Sequence, residues 1–384
     1  MANNVYLASK PRYEILDGLR GVAAVLVVFF HALETYSGGQ ATQIINHGYL
    51  AVDFFFLLSG FVIGYAYDDR WDKMTVWGFF KRRLVRLQPM VIMGTVVGIC
   101  FYGLGQCEGF PLIGNIPGWK LLLAFVMGCL MIPCGVKMDI RGWAETNSLN
   151  GPNWSLTWEY LANILYAFVF RKLSKVALAV LAGLAAFCTL DVCLDWNVFG
   201  LLTAERAANA YTVIGGWSLT PEQMYIGATR LFYPFLIGLL ISRVGKFINI
   251  KDGFWWCSLI LAVLMSIPCV GGGGNILNGI YNAACILVLF PIVVMMGAGS
   301  TIKCERSAKV CTFLGEISYP LYITHYPLMY AQMAWAWSHP EAPAYLHVTV
   351  SVGVIILSIG LAYACLKLYD IPVRKWLTDK WLKR

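Results

Sequence analysis

Three ionisable residues in the first apolar stretch could do chemistry: Asp17, Arg20 and His31. An Arg at the centre of a membrane helix costs roughly 2.5–3.5 kcal/mol by insertion scales, so two such groups in one span ask for a reason. Eleven residues along an α-helix make three turns plus about 20°, which puts Arg20 and His31 on one face, ~16 Å apart. Asp17 lies near the same stripe. A polar stripe on an apolar helix faces a protein interior or a wet cavity, because lipid leaves it unsatisfied. A His that titrates near neutral pH suits general-base work on a hydroxyl, and the plain alternative is a structural hydrogen bond.

Other constellations follow along the chain. In Asn153-Trp154-Ser155-Leu156-Thr157-Trp158-Glu159, the residues Ser155, Glu159 and Asn163 recur every four positions and form a second polar stripe. Glu159 is expected to support a protonated His31, as a carboxylate does in a catalytic dyad. The run Lys81-Arg82-Arg83-Leu84-Val85-Arg86 packs four cations in a loop before a span. It reads either as a topology and lipid signal or as a phosphate-binding mouth for a polyanion such as coenzyme A, since Arg forks match phosphate oxygens. Further on, Ser318, Tyr322 and His325 share a helical face, and His325 divides evenly between a structural and a site role. Asp53, near the outer end of the second span, and Arg230 are weaker site candidates.

The elements that must hold these groups are helices in a membrane. Of 384 residues, 59% are hydrophobic and 13% charged, and the mean hydropathy is +0.65. That profile excludes an ordinary soluble domain. Apolar runs near 15–34, 49–67, 89–105, 154–170, 174–193, 227–242, 254–270, 276–297, 316–337 and 345–366 suit crossings. Leu121–Val136 is shorter and reads as re-entrant or interfacial. With ten crossings, Lys120, Lys137, Arg141 and Arg206 lie outside, Arg20 and Arg230 lie within spans, and the other 23 of the 29 Lys and Arg lie inside. The net charge of +8 therefore reads as the positive-inside pattern and not as a nucleic-acid surface. The expectation is an all-α polytopic membrane bundle, one domain over residues 1–384, with both termini cytoplasmic and no appended soluble domain. The segment 106–153 reads as an ordered cap, Gly271–Gly274 as a short turn, and the twelve Cys mostly as apolar packing residues, with no metal site.

The motifs, taken in order, resemble the acyltransferase-3 family of bacterial membrane proteins. Arg20 and His31 are similar to its Arg-x10-His signature, and Asp53-Phe-Phe-Phe-Leu-Leu-Ser-Gly60-Phe61 resembles its second-helix motif. The resemblance continues through Arg82-Arg83-Leu-Val-Arg86, Trp154-Ser-Leu-Thr-Trp-Glu159, the Arg230 segment and Ser318-Tyr-Pro-Leu-Tyr-Ile-Thr-His325. Tyr369-Asp370-Ile-Pro372 stands where the family closes on Glu-x-Pro, with Asp in place of Glu. The resemblance implies ten membrane helices in the bacterial cytoplasmic membrane. It also implies transfer of an acyl group, usually acetyl from acetyl-CoA, to an extracytoplasmic sugar or related acceptor. On this reading Arg82, Arg83 and Arg86 hold the donor phosphates, Asp17 and Arg20 hold its acyl end, and His31 with Glu159 forms the base. Partners are the CoA donor, a glycan acceptor and lipid, with homo-oligomers left open. The rival reading is a transporter or exporter of a polysaccharide precursor or small anion, for which a mid-membrane His is equally natural.

Overall fold

The computed structural model describes residues 10–37, 42–271 and 274–383, and among them it contains helices and no strand. Residues 272 and 273 of the expected glycine turn lie outside the described residues. Seven segments are long and apolar enough to cross a membrane: Glu14–Glu34, Gly48–Tyr67, Val76–Gly105, Lys175–Cys193, Pro221–Val244, Ile276–Gly299 and Ala344–Leu382. They hold helices α1 (Glu14–Glu34), α2 (Ala51–Tyr67), α3 (Val76–Tyr102), α6 (Lys175–Cys193), α7 (Pro221–Val244), the α9–α10 pair (Ile276–Ala284 and Phe290–Gly299) and the α13–α14 pair (Ala344–Cys365 and Ile371–Leu377). The other three expected spans fall on shorter or interrupted helices. These are α5 (Asn153–Phe168), α8 (Gly253–Ser266), and α11 (Glu305–Thr324), which runs into α12 (Tyr326–Ser338) through His325. Helix α4 (Gly118–Leu130) ends on Met131 in the left-handed conformation. Its 13 residues reach ~20 Å, short of a ~30 Å hydrocarbon core.

One element differs from expectation. The cationic run at 81–86 is not a loop but the opening turns of α3, which starts at Val76 with the Thr75 side chain accepting a hydrogen bond from Gly78 N. Nothing between Thr75 and Pro89 breaks a helix. Pro89 removes one backbone bond inside α3, and the helix runs on to Tyr102. The helix thus fixes the direction of each Arg: Arg83 faces inward and is buried, while Arg82 and Arg86 are half-buried.

Close packing of small residues sets the two helix pairs that carry the site. Helix α1 lies along α11, and α2 along α7. Gly60 of α2 faces the carbonyl of Phe235, and Gly238 of α7 faces that of Leu57, so a Cβ at either position would overlap backbone. Such positions let helices approach without any hydrophobic drive from lipid. The α2–α7 contact brings Asp53 to Arg230, and the α1–α11 contact brings Arg20 to Ser318. Lys10, at the start of the described chain, and Lys383, at its end, line one cavity. The two ends therefore lie on one face of the bundle, which fits an even number of crossings.

Candidate active site

Three cavities lie in series along α1. The inner one, about 520 Å³, is lined by cations from both chain ends and from α3: Lys10, Arg12, Arg20, Arg70, Arg82, Arg83, Arg86, Arg374, Lys375 and Lys383, against the carboxylates Asp17 and Asp379. Arg20, Leu58, Val62, Arg83 and Arg86 also line the second, a throat of about 110 Å³. Val52 and Tyr322 are common to the throat and the outer cavity, of about 630 Å³, which holds His31, Glu34, Glu145 and Arg230. The stripe read on α1 is therefore real: its lower end opens into the basic cavity and its upper end into the outer one.

At the lower end Arg20 pairs with Asp17 at 2.9 Å, and its Nε donates to Ser318 Oγ at 2.9 Å. Arg82 and Arg86 line the basic cavity. Arg83 does not present its charge in the same way. Its Nη2 pairs with Glu159 Oε1 at 2.8 Å and its Nε donates to Asn163 Oδ1 at 2.6 Å. Ser59 Oγ donates to the same Glu159 oxygen at 2.8 Å. Glu159 is therefore the counter-ion of a buried arginine in the throat wall, and it does not serve His31. The stripe Ser155–Glu159–Asn163 is polar as its spacing predicts; α3 meets it at Glu159 and Asn163, and α11 meets it at Ser155 through Tyr322.

At the upper end the carboxylate on His31 is Glu34, with Oε2 2.7 Å from Nδ1. A carboxylate only accepts, so Nδ1 carries a proton, and in the neutral ring the lone pair is then on Nε2. His325 stacks on the ring, with centroids 5.6 Å apart, and Tyr326 meets it edge-on at 4.7 Å. His325 itself is fully buried, and its Nδ1 lies 2.9–3.0 Å from the carbonyls of Tyr322 and Leu321, so it donates to backbone. It packs the base. Ser155 Oγ and the Tyr322 hydroxyl lie 2.8 Å apart at the junction of throat and outer cavity. Asp53 and Arg230 form a buried ion pair at 2.7 Å, with Arg230 also beneath the Trp154 ring at 5.3 Å.

Sequence reasoning missed four contributors. Glu34 sits three residues after His31, a spacing that shares a helical face, and could have been found by that test. Arg374 and Lys375 were counted only as topology signals, although they line the basic cavity. Glu145 comes from the cap, where no periodicity marks it. It is buried, with both oxygens accepting from the Tyr330 hydroxyl at 2.7 and 2.6 Å. Burial pushes its carboxyl up to about 7, against the opposing pull of the Tyr330 bond and of Arg141. All twelve thiols are free. Among the described residues no three His, Cys, Asp or Glu gather as a metal site.

A family model for the acyltransferase domain matches residues 13–367. The chain belongs to the acyltransferase-3 family. It is 36% identical over 180 residues to protein 2 of the picA locus of Rhizobium radiobacter, covering 44% of this chain and 90% of that one. It is 22% identical over 376 residues to the acyltransferase MdmB of Streptomyces mycarofaciens, covering 90% and 88% of the two chains. It is 23% identical over 380 residues to the O-acetyltransferase OatA of Staphylococcus aureus, covering 95% of this chain but 58% of that longer one. No solved structure matches it. The chain is an acyltransferase of the O-acetyltransferase type, with helices apolar enough to place it in a membrane. The acyltransferase-3 helices α1, α2, α3, α5, α7 and α11 all contribute to the cavities described.

Proposed function

We propose that this acyltransferase moves an acetyl or similar acyl group from a CoA thioester, bound in the basic cavity, to a hydroxyl of an extracytoplasmic carbohydrate in the outer cavity. The observation that carries the reading is the series of cavities, basic at one end and holding an oriented histidine at the other. A nucleotide bearing several phosphates suits the cations of the first, with Arg12, Arg82, Arg86, Arg374 and Lys375 as its ligands. The thin throat suits a thioester arm, held near Arg20 and Asp17.

His31 Nε2 takes the proton of the acceptor hydroxyl as its oxygen attacks the thioester carbonyl. Glu34 holds the ring and offsets the charge of the imidazolium. The hydroxyl of Tyr322, aligned by Ser155, donates to the carbonyl oxygen as negative charge develops there. The carbon–sulfur bond then breaks, and the imidazolium returns its proton to the leaving thiolate, so protons balance over the cycle. We place the chain in the bacterial cytoplasmic membrane as a single domain with ten crossings and the basic cavity facing the cytoplasm, the orientation that the excess of Lys and Arg favours.

The test is release of free CoA thiol from acetyl-CoA by the purified protein in lipid nanodiscs, with acetylated product read by mass spectrometry over a panel of glycosides. Acceptor-dependent thiol release is expected. Movement of a glycoside or small anion across vesicles without thiol release would favour the exporter reading instead.

A further inference from the structure

The outer cavity differs from the inner one in charge. Glu34 and Glu145 both line it. Apart from His31, Arg230 is its only cationic lining residue among the described ones, and buried Asp53 neutralises that charge at 2.7 Å. Arg141, beyond the lining, is fully buried against the Tyr330 ring at 3.7 Å. Its Nε donates to Ser148 O at 2.6 Å, its backbone N–H donates to Oδ1 of buried Asp139 at 3.0 Å, and its guanidinium charge favours the ionised form of Glu145 from behind the wall. The cavity wall thus carries an excess of negative charge.

Its aromatic lining includes Trp143 and Trp337, both held in place. The Trp143 indole N–H donates to Gly109 O at 2.9 Å, and that of Trp337 to Thr35 O at 3.1 Å. The two rings lie 6.2 Å apart, each tethered at its edge. Ring faces and carboxylates attract cations, and both repel or fail to bind anions.

We propose that the acceptor carries an ammonium group near the hydroxyl to be acylated, as an amino sugar does, and that Glu145 is the residue that selects it. The proposal rests on the outer cavity being the acceptor site. Glu145 keeps acceptor capacity beyond the Tyr330 bond, because a carboxylate offers about four lone-pair sites. The groups facing it are Tyr326 and Tyr330 from α12, Arg141 and Asp139 from the cap, and Glu34 from α1. Because burial raises its carboxyl to about 7, its charge grows as pH rises through 7, while the amine of an amino sugar loses its proton towards pH 8, so selectivity is greatest near pH 7.

Saturation-transfer NMR on the whole protein in nanodiscs tests this with three methyl glycosides: the glucosaminide, the glucoside and the glucuronide. The glucosaminide is expected to bind about tenfold more tightly than the glucoside near pH 7, where ammonium and carboxylate coexist, and the glucuronide most weakly. The gap should close in Glu145→Gln and narrow below pH 6.5. Equal binding of the three by the unaltered protein, or tightest binding of the glucuronide, would overturn the proposal. An unchanged gap in Glu145→Gln would remove Glu145 as its cause. Thiol release from acetyl-CoA, read on the same preparation, decides separately whether acyl transfer occurs.

Discussion

In the proposed mechanism His31 and Glu34, 2.7 Å apart, act as one unit, and their substitution separates positioning from binding. A general base contributes roughly 10²–10⁴-fold, so His31→Ala should lower kcat on that scale while acetyl-CoA affinity stays near that of the unaltered protein. Glu34→Gln should lower kcat by a smaller factor, and the double variant should be no worse than His31→Ala, since the pair acts as one unit. Steady-state thiol release with a separate donor-binding assay reads both. A full additive loss would mean that Glu34 acts elsewhere. Glu145 gives a pH signature of a different kind. Its carboxyl is raised from 4.5 to about 7, so the folded state binds the extra proton between those values. Its contribution to stability is fully present below about pH 4.5 and is lost as pH rises through 7. Glu145→Gln should therefore gain thermal midpoint relative to the unaltered protein at pH 8 but not at pH 5. Equal effects at both would mean that Glu145 ionises freely in the fold.

At the scale of elements, the polar stripes were legible and their partners were not. Periodicity marks Arg20 and His31 as co-facial on α1, and the cavities lie along that face. It marks Ser155, Glu159 and Asn163 in the same way. Which helix meets that stripe depends on packing, and α3 supplies Arg83 where His31 had been expected. The cationic run read as a loop because the apolar stretch begins only at 89, yet α3 starts at Val76 and runs through Pro89 to Tyr102. The throat follows from this pairing. Glu159→Gln leaves Arg83 buried without its counter-charge and should destabilise the fold by about 1–3 kcal/mol. Adding Arg83→Gln should recover part of that loss, because coupled partners do not add. Thermal denaturation in detergent reads the cycle. A Glu159→Gln protein of full stability whose only defect is in turnover would restore Glu159 to the chemistry.

For the whole molecule, the all-helical class, the membrane setting and the family were legible because composition and ordered motifs suffice for them. Two features were not: the placing of Glu145, from the cap, in the cavity that holds His31, and the meeting of residues near both ends of the described chain in one basic cavity. Both join residues far apart in sequence through irregular segments, where periodicity is silent. Orientation can be read from a native thiol. Cys304 is exposed, and the backbone N–H groups of Ser307 and Arg306 hold its thiol below the usual range, so it should react readily. A membrane-impermeant maleimide is expected to modify it in inverted vesicles and to leave it untouched in intact spheroplasts. The reverse pattern would turn the basic cavity outward.

The most direct test of a path through the protein is transfer between two compartments. Vesicles carrying the protein with its basic cavity inward enclose acetyl-CoA labelled in the acetyl group, and the glycoside panel is supplied only outside. Labelled glycoside outside, with matching free thiol inside, is the expected result, and both should fall to the level of empty vesicles when His31→Ala is used. Acetylation only when donor and acceptor share one compartment would contradict a route through the throat.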